Sequence, residues 1–394
     1  MKIEQKKLNK WAKILLDHSL QGVKKGDMVL IGGELAAWPL ISTLQDKILR
    51  AGGMPDICLR PPDNERGRVW GAAVARLGRM SNLAAAPRWQ RLRNETANKF
   101  IEILGMEHPE LSRSPAGPLL KRILQLDSEL RDICRKKKWV VTMYPTRAFA
   151  ALEGLPFSVY SRVVLKGSTE PLSKARSCAQ RLVSRLSRTK TITIVTRAPR
   201  SSRDLNLSIG VAGRHILTDL NGFNIPQGEV FTSPDANSVE GEIFLDMPIL
   251  AQGAIIRGIY LKFSGGKVVS SRAEKGGEIL SEVLNADSGA RRLGEVAFGI
   301  NSGLDVPLKH PLFCEKLAGT MHIAVGKCFP QAFVSDQGTK KGKAFFQKFV
   351  RLGAANTSVR HMDLVCSFRK GGAGKGVFLD DRELKLRNGN WDCR

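Results

Sequence analysis

The chain has 394 residues, 42% of them hydrophobic and 25% charged, a mixture that describes a globular protein with ample core material and excludes a disordered one. At roughly 100–200 residues per domain, two domains are the default, and no apolar run approaches the ~18 residues of a membrane-spanning helix. Lys and Arg exceed Asp and Glu by 62 to 37, a formal net charge of +25, and this is the unusual bulk number.

The lysine-rich opening "MKIEQKKLNKWAKILLDHSL" carries Leu8, Trp11, Leu15 and Leu16 on one helical face. It lacks an apolar targeting core and a small-residue cleavage site, so a cytoplasmic protein is expected. "MVLIGG" reads as a buried strand, "AAWPLISTLQDKILRAGG" as a helix ending on paired glycines, and "MPDICLRP" as a second strand. This βαβ-like order predicts a parallel α/β sheet. Residues 70–135 read as mostly helical. "KWVVTMYPT" is a strand before a proline turn. "PLSKARSCAQRLVSRLSR" is an amphipathic helix with Leu172, Ala175, Ala179, Leu182 and Leu186 on one stripe, and "TITIV" is a strand.

After residue 205 the texture changes to short strands between Gly, Asn, Asp and Pro turns: "DLNLSIG", "RHILTD", "GEIFLDMPI" and "GIYLKFSGGKVVSSRAE", with one helix, "GGEILSEVLNA". The expected architecture is therefore two-domain α/β. Residues 1–205 form an N-terminal α/β sheet domain and residues 206–394 a mixed, β-rich α/β catalytic domain. Much of the charge gathers in residues 160–205 and in "KKGKAFFQKFVRLG" from Lys340. Such a field draws nucleic acid or anionic surfaces. No nucleic-acid-binding motif accompanies it, so it reads as a solvated face and nucleic acid is not an expected partner. The seven cysteines, 58, 134, 178, 314, 328, 366 and 393, are scattered without a C-x-x-C, which describes reduced thiols.

The chemistry lies in polar residues set among strand-like apolar ones. These are Glu229 in "GEVFTSP", Glu295 in "LGEVAFG", Glu315 before "KLAGT", His322 in "GTMHIAVG", and His361 with Asp363 in "SVRHMDLVCS". Residues two apart on a strand share a face, so His361 and Asp363 point the same way. Buried carboxylates need a partner or a metal. Six N/O donors without a thiolate match a Zn, Co, Mn or Fe site. His18, His108, His215 and His310 lie in helical, turn or exposed contexts and read as structural. "GGAGKG" at 371–376 lacks the first glycine and the Ser/Thr of a phosphate-binding loop, and reads as a turn.

At these residues the chain resembles the aminopeptidase T / aminopeptidase S family, the thermophilic metalloproteases. "NIPQGEVFTSPDANSVEG", "RRLGEVAFGIN", "CEKLAGTMHIAVGKCFP" and "VRHMDLV" are similar to four family blocks in order, and the opening segment and "WVVTMYPT" extend the likeness over nearly the whole chain. The resemblance implies metal ligation by Glu229, Glu295, Glu315, His322, His361 and Asp363. It further implies two divalent ions, Zn or Co with Mn or Fe as substitutes, release of N-terminal residues from peptide substrates, and a homodimer. Glu295 and Glu315 are the candidates for the catalytic proton shuttle.

The chain departs from the family pattern twice. Phe329 stands where the family has a tyrosine whose hydroxyl binds metal or steadies the oxyanion, and Cys314 stands in place of Asp. Two other readings compete. One is a 2,5-dihydroxypyridine-type dioxygenase holding one Fe(II) through His322, His361 and Asp363. The other is a non-catalytic or weakly active descendant that binds a metal or an acidic partner.

Overall fold

The computed structural model describes residues 3–60, 86–107, 126, 129, 130, 132–171, 173–369 and 375–392. Two compact units are present: Met1–Glu170 with Asn221–Gln227, and Pro171–Leu220 with Gly228–Arg394.

In the first unit, helix Gln5–Lys13 runs on as a π-helical stretch, Ile14–Ser19, and buries the expected Leu8, Trp11, Leu15 and Leu16. Strands β1 (Met28–Glu34), β2 (Met54–Arg60), β3 (Lys99–Leu104), β4 (Lys138–Met143) and β8 (Asn224–Ile225) form one sheet in the order β2-β1-β3-β4-β8. Every neighbouring pair in it is parallel. Helix Trp38–Arg50 makes the crossover from β1 to β2, with proline in its first turn and Leu40, Ile41, Leu44 and Ile48 buried. β3 corrects the helical reading of residues 70–135. A central parallel strand is covered on both faces, so "KFIEIL" shows no period-two alternation. Much of the rest of that stretch, including His108, lies outside the described residues.

The second unit opens with helix Ser173–Leu186, which buries Ala175, Ala179, Leu182 and Leu186; the side chain of Leu172 lies outside the described residues. Its larger sheet joins β5 (Thr191–Thr196), β6 (Leu205–Gly210), β10 (Glu240–Leu245), β11 (Ile249–Ala251), β12 (Ala254–Ser264), β13 (Lys267–Lys275), β17 (Gly376–Leu379) and β18 (Arg382–Glu383). Its smaller sheet has the order β16-β15-β14-β9-β7. The strands are β7 (Leu217–Thr218), β9 (Glu229–Thr232), β14 (Leu293–Gly299), β15 (Thr320–Gly326) and β16 (His361–Ser367), all antiparallel.

The division between units falls at residue 170, not at 205. β5 finds its backbone partners on β6, from Thr191 opposite Gly210 to Thr196 opposite Leu205, and so belongs with the strands after it. The change of texture at 205 comes one strand late, since helix Ser173–Leu186 and β5 both precede it. It also hides the return of residues 221–227 to the first unit, where β8 pairs with β4.

A helix the sequence reading omitted, Lys340–Arg351, is capped by the Thr339 hydroxyl, which accepts from Gly342 N at 3.0 Å. It buries Phe346 against Phe333 and leaves Lys340, Lys341, Lys343 and Lys348 in solvent, so one basic cluster is a solvated helix face. No disulfide joins the six described cysteines; Cys393 and residues 371–374 of "GGAGKG" lie outside the described residues. Among the described residues no single helix is long and apolar enough to cross a membrane.

Candidate metal centre

Register alone puts five of the six expected ligands on one face of the smaller sheet. Directly opposed residues share a face, as do residues two apart on one strand. Asp363 on β16 and Glu295 on β14 both oppose Ala324 on β15. His322 opposes Ala297, His361 opposes Gly326, and Glu229 opposes Gly299. Large polar side chains thus alternate with Gly299, Ala297, Ala324 and Gly326, which leave them room.

A bulge makes this work. β14 slips by one residue, so that Leu293 opposes Val325 while Glu295 opposes Ala324. Without the slip Leu293 and Glu295 would share a face. With it, Leu293 turns into the core at 0% exposure. The extra residue is Gly294, where an added Cβ would stand 2.3 Å from the Lys327 carbonyl oxygen. Gly294→Ala is expected to cost about 1–3 kcal/mol of stability and to weaken metal binding, read by urea unfolding and metal titration.

Glu315 reaches the site from outside the sheet, at the C-terminal end of the short helix Pro311–Cys314. The turn that carries it passes over Gly299, where a Cβ would meet the Leu317 carbonyl oxygen at 2.2 Å.

Five polar groups converge around His322. Its Nε2 lies 3.7 Å from Glu229 Oε2, 3.7 Å from Glu295 Oε1 and 3.8 Å from Asp363 Oδ1. His361 Nε2 lies 3.1 Å from Glu295 Oε2 and 3.2 Å from Asp363 Oδ1. His361 Nδ1 is 2.8 Å from the Lys327 carbonyl oxygen. That carbonyl can only accept, so the proton sits on Nδ1 and the Nε2 lone pair of the neutral ring faces the site. Two donor sets, Glu229–Glu315–His322 and Glu295–His322–Asp363, each have their ligand atoms within 4.8 Å of one another. Side-chain exposure rises from 1% at His322 to 16% at Asp363 and 30% at His361, so the site opens at the His361 end.

Two further residues belong to the site and were not singled out from the sequence. The Lys316 ammonium, 1% exposed, donates to Glu229 Oε1 and to Glu315 Oε1, each at 2.7 Å. Asp219 Oδ2 lies 3.5 Å from it, while Asp219 Oδ1 accepts from the Gly228 and Glu229 amides at 2.8 Å. The adjacent pair "EK" in an otherwise apolar segment was the available signal for Lys316. Asp219 sits in a turn, "TDLNG", that looks like any other.

The donor set fits metal. Glu229 Oε2 is buried without a hydrogen bond, and such an atom costs about 1–3 kcal/mol if left so. The charge fits as well. With neutral imidazoles, five carboxylates against one lysine leave four negative charges, which two divalent cations balance and one does not.

The proton affinities report the same excess of negative charge. Burial lowers the His322 imidazole, but Glu295, Asp363 and Glu229 outweigh it and hold it at about 9. His361 is likewise held well above its ordinary value, burial being overcome by Asp363 and Glu295. Burial pushes the Glu315 carboxyl up to about 7 against the pull of Lys316. Glu295 ends below its ordinary value, because the two imidazoles overcome its burial. A histidine raised in the folded state stabilises fully below its unfolded value, here 6.5, and stops doing so as pH rises through about 9. The metal-free protein is therefore expected to lose stability between pH 6.5 and 9, and the metal-loaded protein to keep it; melting curves across that range check this.

The three other described histidines do not join the site. His18 faces Gln227 Oε1 at 3.2 Å, His215 N donates to the Ala332 carbonyl, and His310 Nδ1 accepts from Leu312 N.

The whole chain has recognisable relatives. Aminopeptidase T of Thermus thermophilus is 34% identical over 180 residues, and aminopeptidase 2 of Geobacillus stearothermophilus 35% over 175. Each match spans 43% of this chain and 40% of the relative, so this chain aligns with less than half the length of these curated proteins. AmpT from Thermus thermophilus superposes over 98% of this chain and 99% of its own, with a TM-score of 0.75 and 21% identity. The 2,5-dihydroxypyridine dioxygenase of Pseudomonas putida also superposes, over 99% and 98%, with a TM-score of 0.54 and 14% identity. The fold alone therefore leaves the chemistry open. The family model of the thermophilic metalloproteases (M29) matches residues 4–391, and the chain belongs to that family.

Proposed function

We propose that this protein is a metallo-aminopeptidase that removes N-terminal residues from peptides, using two divalent ions, Zn or Co, held by Glu229, Glu295, Glu315, His322, His361 and Asp363. The observation that carries the reading is the number of carboxylates. A single Fe(II) on His322, His361 and Asp363 would leave Glu229, Glu295, Glu315 and Asp219 with only Lys316 to balance them. Two divalent ions account for all of them, which favours peptide hydrolysis over ring cleavage and over a non-catalytic role.

Bound divalent ions supply an acidified water and a polarised carbonyl. This chain's residues do the rest. Glu295 stays ionised between the two imidazoles and serves as a ligand. Glu315 would take the proton from the attacking water and pass it to the leaving amine. Lys316 holds one oxygen of Glu229 and one of Glu315, leaving each the other for the centre.

The test is metal content with a peptidase assay. Two Zn or Co per chain, with free amino acids released from peptide N-termini and lost on chelation, is the expected result. One Fe per chain with oxygen consumed on a hydroxypyridine would overturn it. Binding two ions must also expel protons from the raised histidines. Apparent metal affinity is then expected to climb about tenfold per pH unit for each proton released, up to pH about 9, read by titration calorimetry. A homodimer in a reducing cytoplasm completes the reading, supported by the resemblance and by six described cysteines that form no disulfide; light scattering tests the dimer.

A further inference from the structure

β16, the strand that carries His361 and Asp363, is the outer strand of its sheet, and its ladder partner is β15. In an antiparallel ladder alternate residues turn their N–H and C=O to the partner, and those between turn them outward. Arg360 O accepts from Lys327 N at 2.6 Å, and Phe368 N donates to Gly319 O at 3.0 Å. Even-numbered residues therefore face β15, and 361, 363, 365 and 367 face out.

The outward groups are treated differently along the strand. Val365 O accepts from Met247 N at 3.3 Å, and Ser367 N donates to Asp246 Oδ1 at 2.9 Å. That end of the edge is closed. The outward N–H and C=O of His361 and Asp363 make no hydrogen bond with any described residue. The main chain of His361 is open to water, since the residue as a whole is exposed while its side chain is only 30% exposed. An unpaired edge is a template for another strand. Here, among the described residues, it is unpaired over the two residues whose side chains reach the metal face. Val359, 82% exposed, precedes it in the chain.

We infer that the open edge of β16 at His361 and Asp363 is the subsite for the substrate's main chain. An extended peptide adds as a further strand, with its free amino end turned onto the metal face. This rests on the aminopeptidase reading for the identity of the occupant. Pairing of this kind is carried by main-chain hydrogen bonds and tolerates many side chains. Alternate substrate residues would exchange N–H and C=O with His361 and Asp363, and the residues between would not.

Two measurements test it. The first is kcat/KM for a series of pentapeptides, each N-methylated at one amide beyond the scissile bond, beside an amino-acid p-nitroanilide too short to reach the edge. Methylation at alternate amides is expected to lower kcat/KM about tenfold, one lost hydrogen bond of about 1.4 kcal/mol, with the intervening amides tolerant. Equal sensitivity at every position, or at none, overturns the proposal. The second is residue-level hydrogen exchange with a pentapeptide whose first bond is reduced to a methylene-amine. Slowed exchange at the His361 and Asp363 amides supports the subsite, and unchanged exchange overturns it. Should neither peptides nor anilide be hydrolysed, the aminopeptidase reading fails, and the exchange measurement still decides the edge.

Discussion

Phe329→Tyr is expected to raise kcat for peptide hydrolysis by about 10²–10³-fold, the effect of one oxyanion donor. The family resemblance puts a tyrosine at this position. The structure shows that the ring needs no hydroxyl to hold its place. Phe329 stacks edge-on against Phe231 at 4.9 Å and against the His361 imidazole at 5.5 Å, while its amide donates to Ser233 Oγ at 2.8 Å. The ring is half-buried at the open end of the site, so a hydroxyl can be added without overpacking the core. A donor that acts mainly on developing charge raises kcat more than it changes KM. Saturation kinetics at full metal loading check both numbers. An unchanged kcat would show that this chain supplies its oxyanion donor elsewhere.

Lys316→Met is expected to destabilise the metal-free protein by about 3–5 kcal/mol at pH 8, the usual result of removing one partner of a buried ion pair. The substitution keeps most of the volume and removes the charge that faces Glu229, Glu315 and Asp219. The pH dependence separates charge from packing. Burial already raises all three carboxyls, and Lys316 opposes that rise. Without the lysine they climb further, so that lowering the pH neutralises them and strands less charge. The loss is therefore expected to be large at pH 8 and small at pH 5, and two divalent ions should restore part of it at pH 8. Urea unfolding at both pH values is the measurement. An equal loss at both would mean that Lys316 acts through packing alone.

The sequence was legible wherever a segment's own pattern determines its environment. Glu229, Glu295, His322, His361 and Asp363 stand out because strand alternation places them among apolar and small neighbours. The structure returns them to one face. β1, β2, β4 and the helix between β1 and β2 carry standard punctuation, with proline in the first helical turn and glycines after the last. β3 escaped notice because a strand covered on both faces looks like any short apolar run. Lys316 was passed over because a lysine next to a glutamate reads as a surface pair until its burial is known.

The amino-acid sequence by itself determined the donor types, the faces of the strands that carry them and the resemblance to a peptidase family, since all three follow from residue identity and short-range spacing. Only the tertiary structure decided that the donors meet. Convergence depends on cross-strand register, on the one-residue slip at Gly294 that turns Glu295 inward, and on a turn that brings Glu315 and Lys316 over Gly299. It also decided that residues 221–227 belong to the first unit and that β16 keeps an open edge beside the site. These are pairings between residues far apart in the chain, and no local pattern encodes which strand a given edge will find.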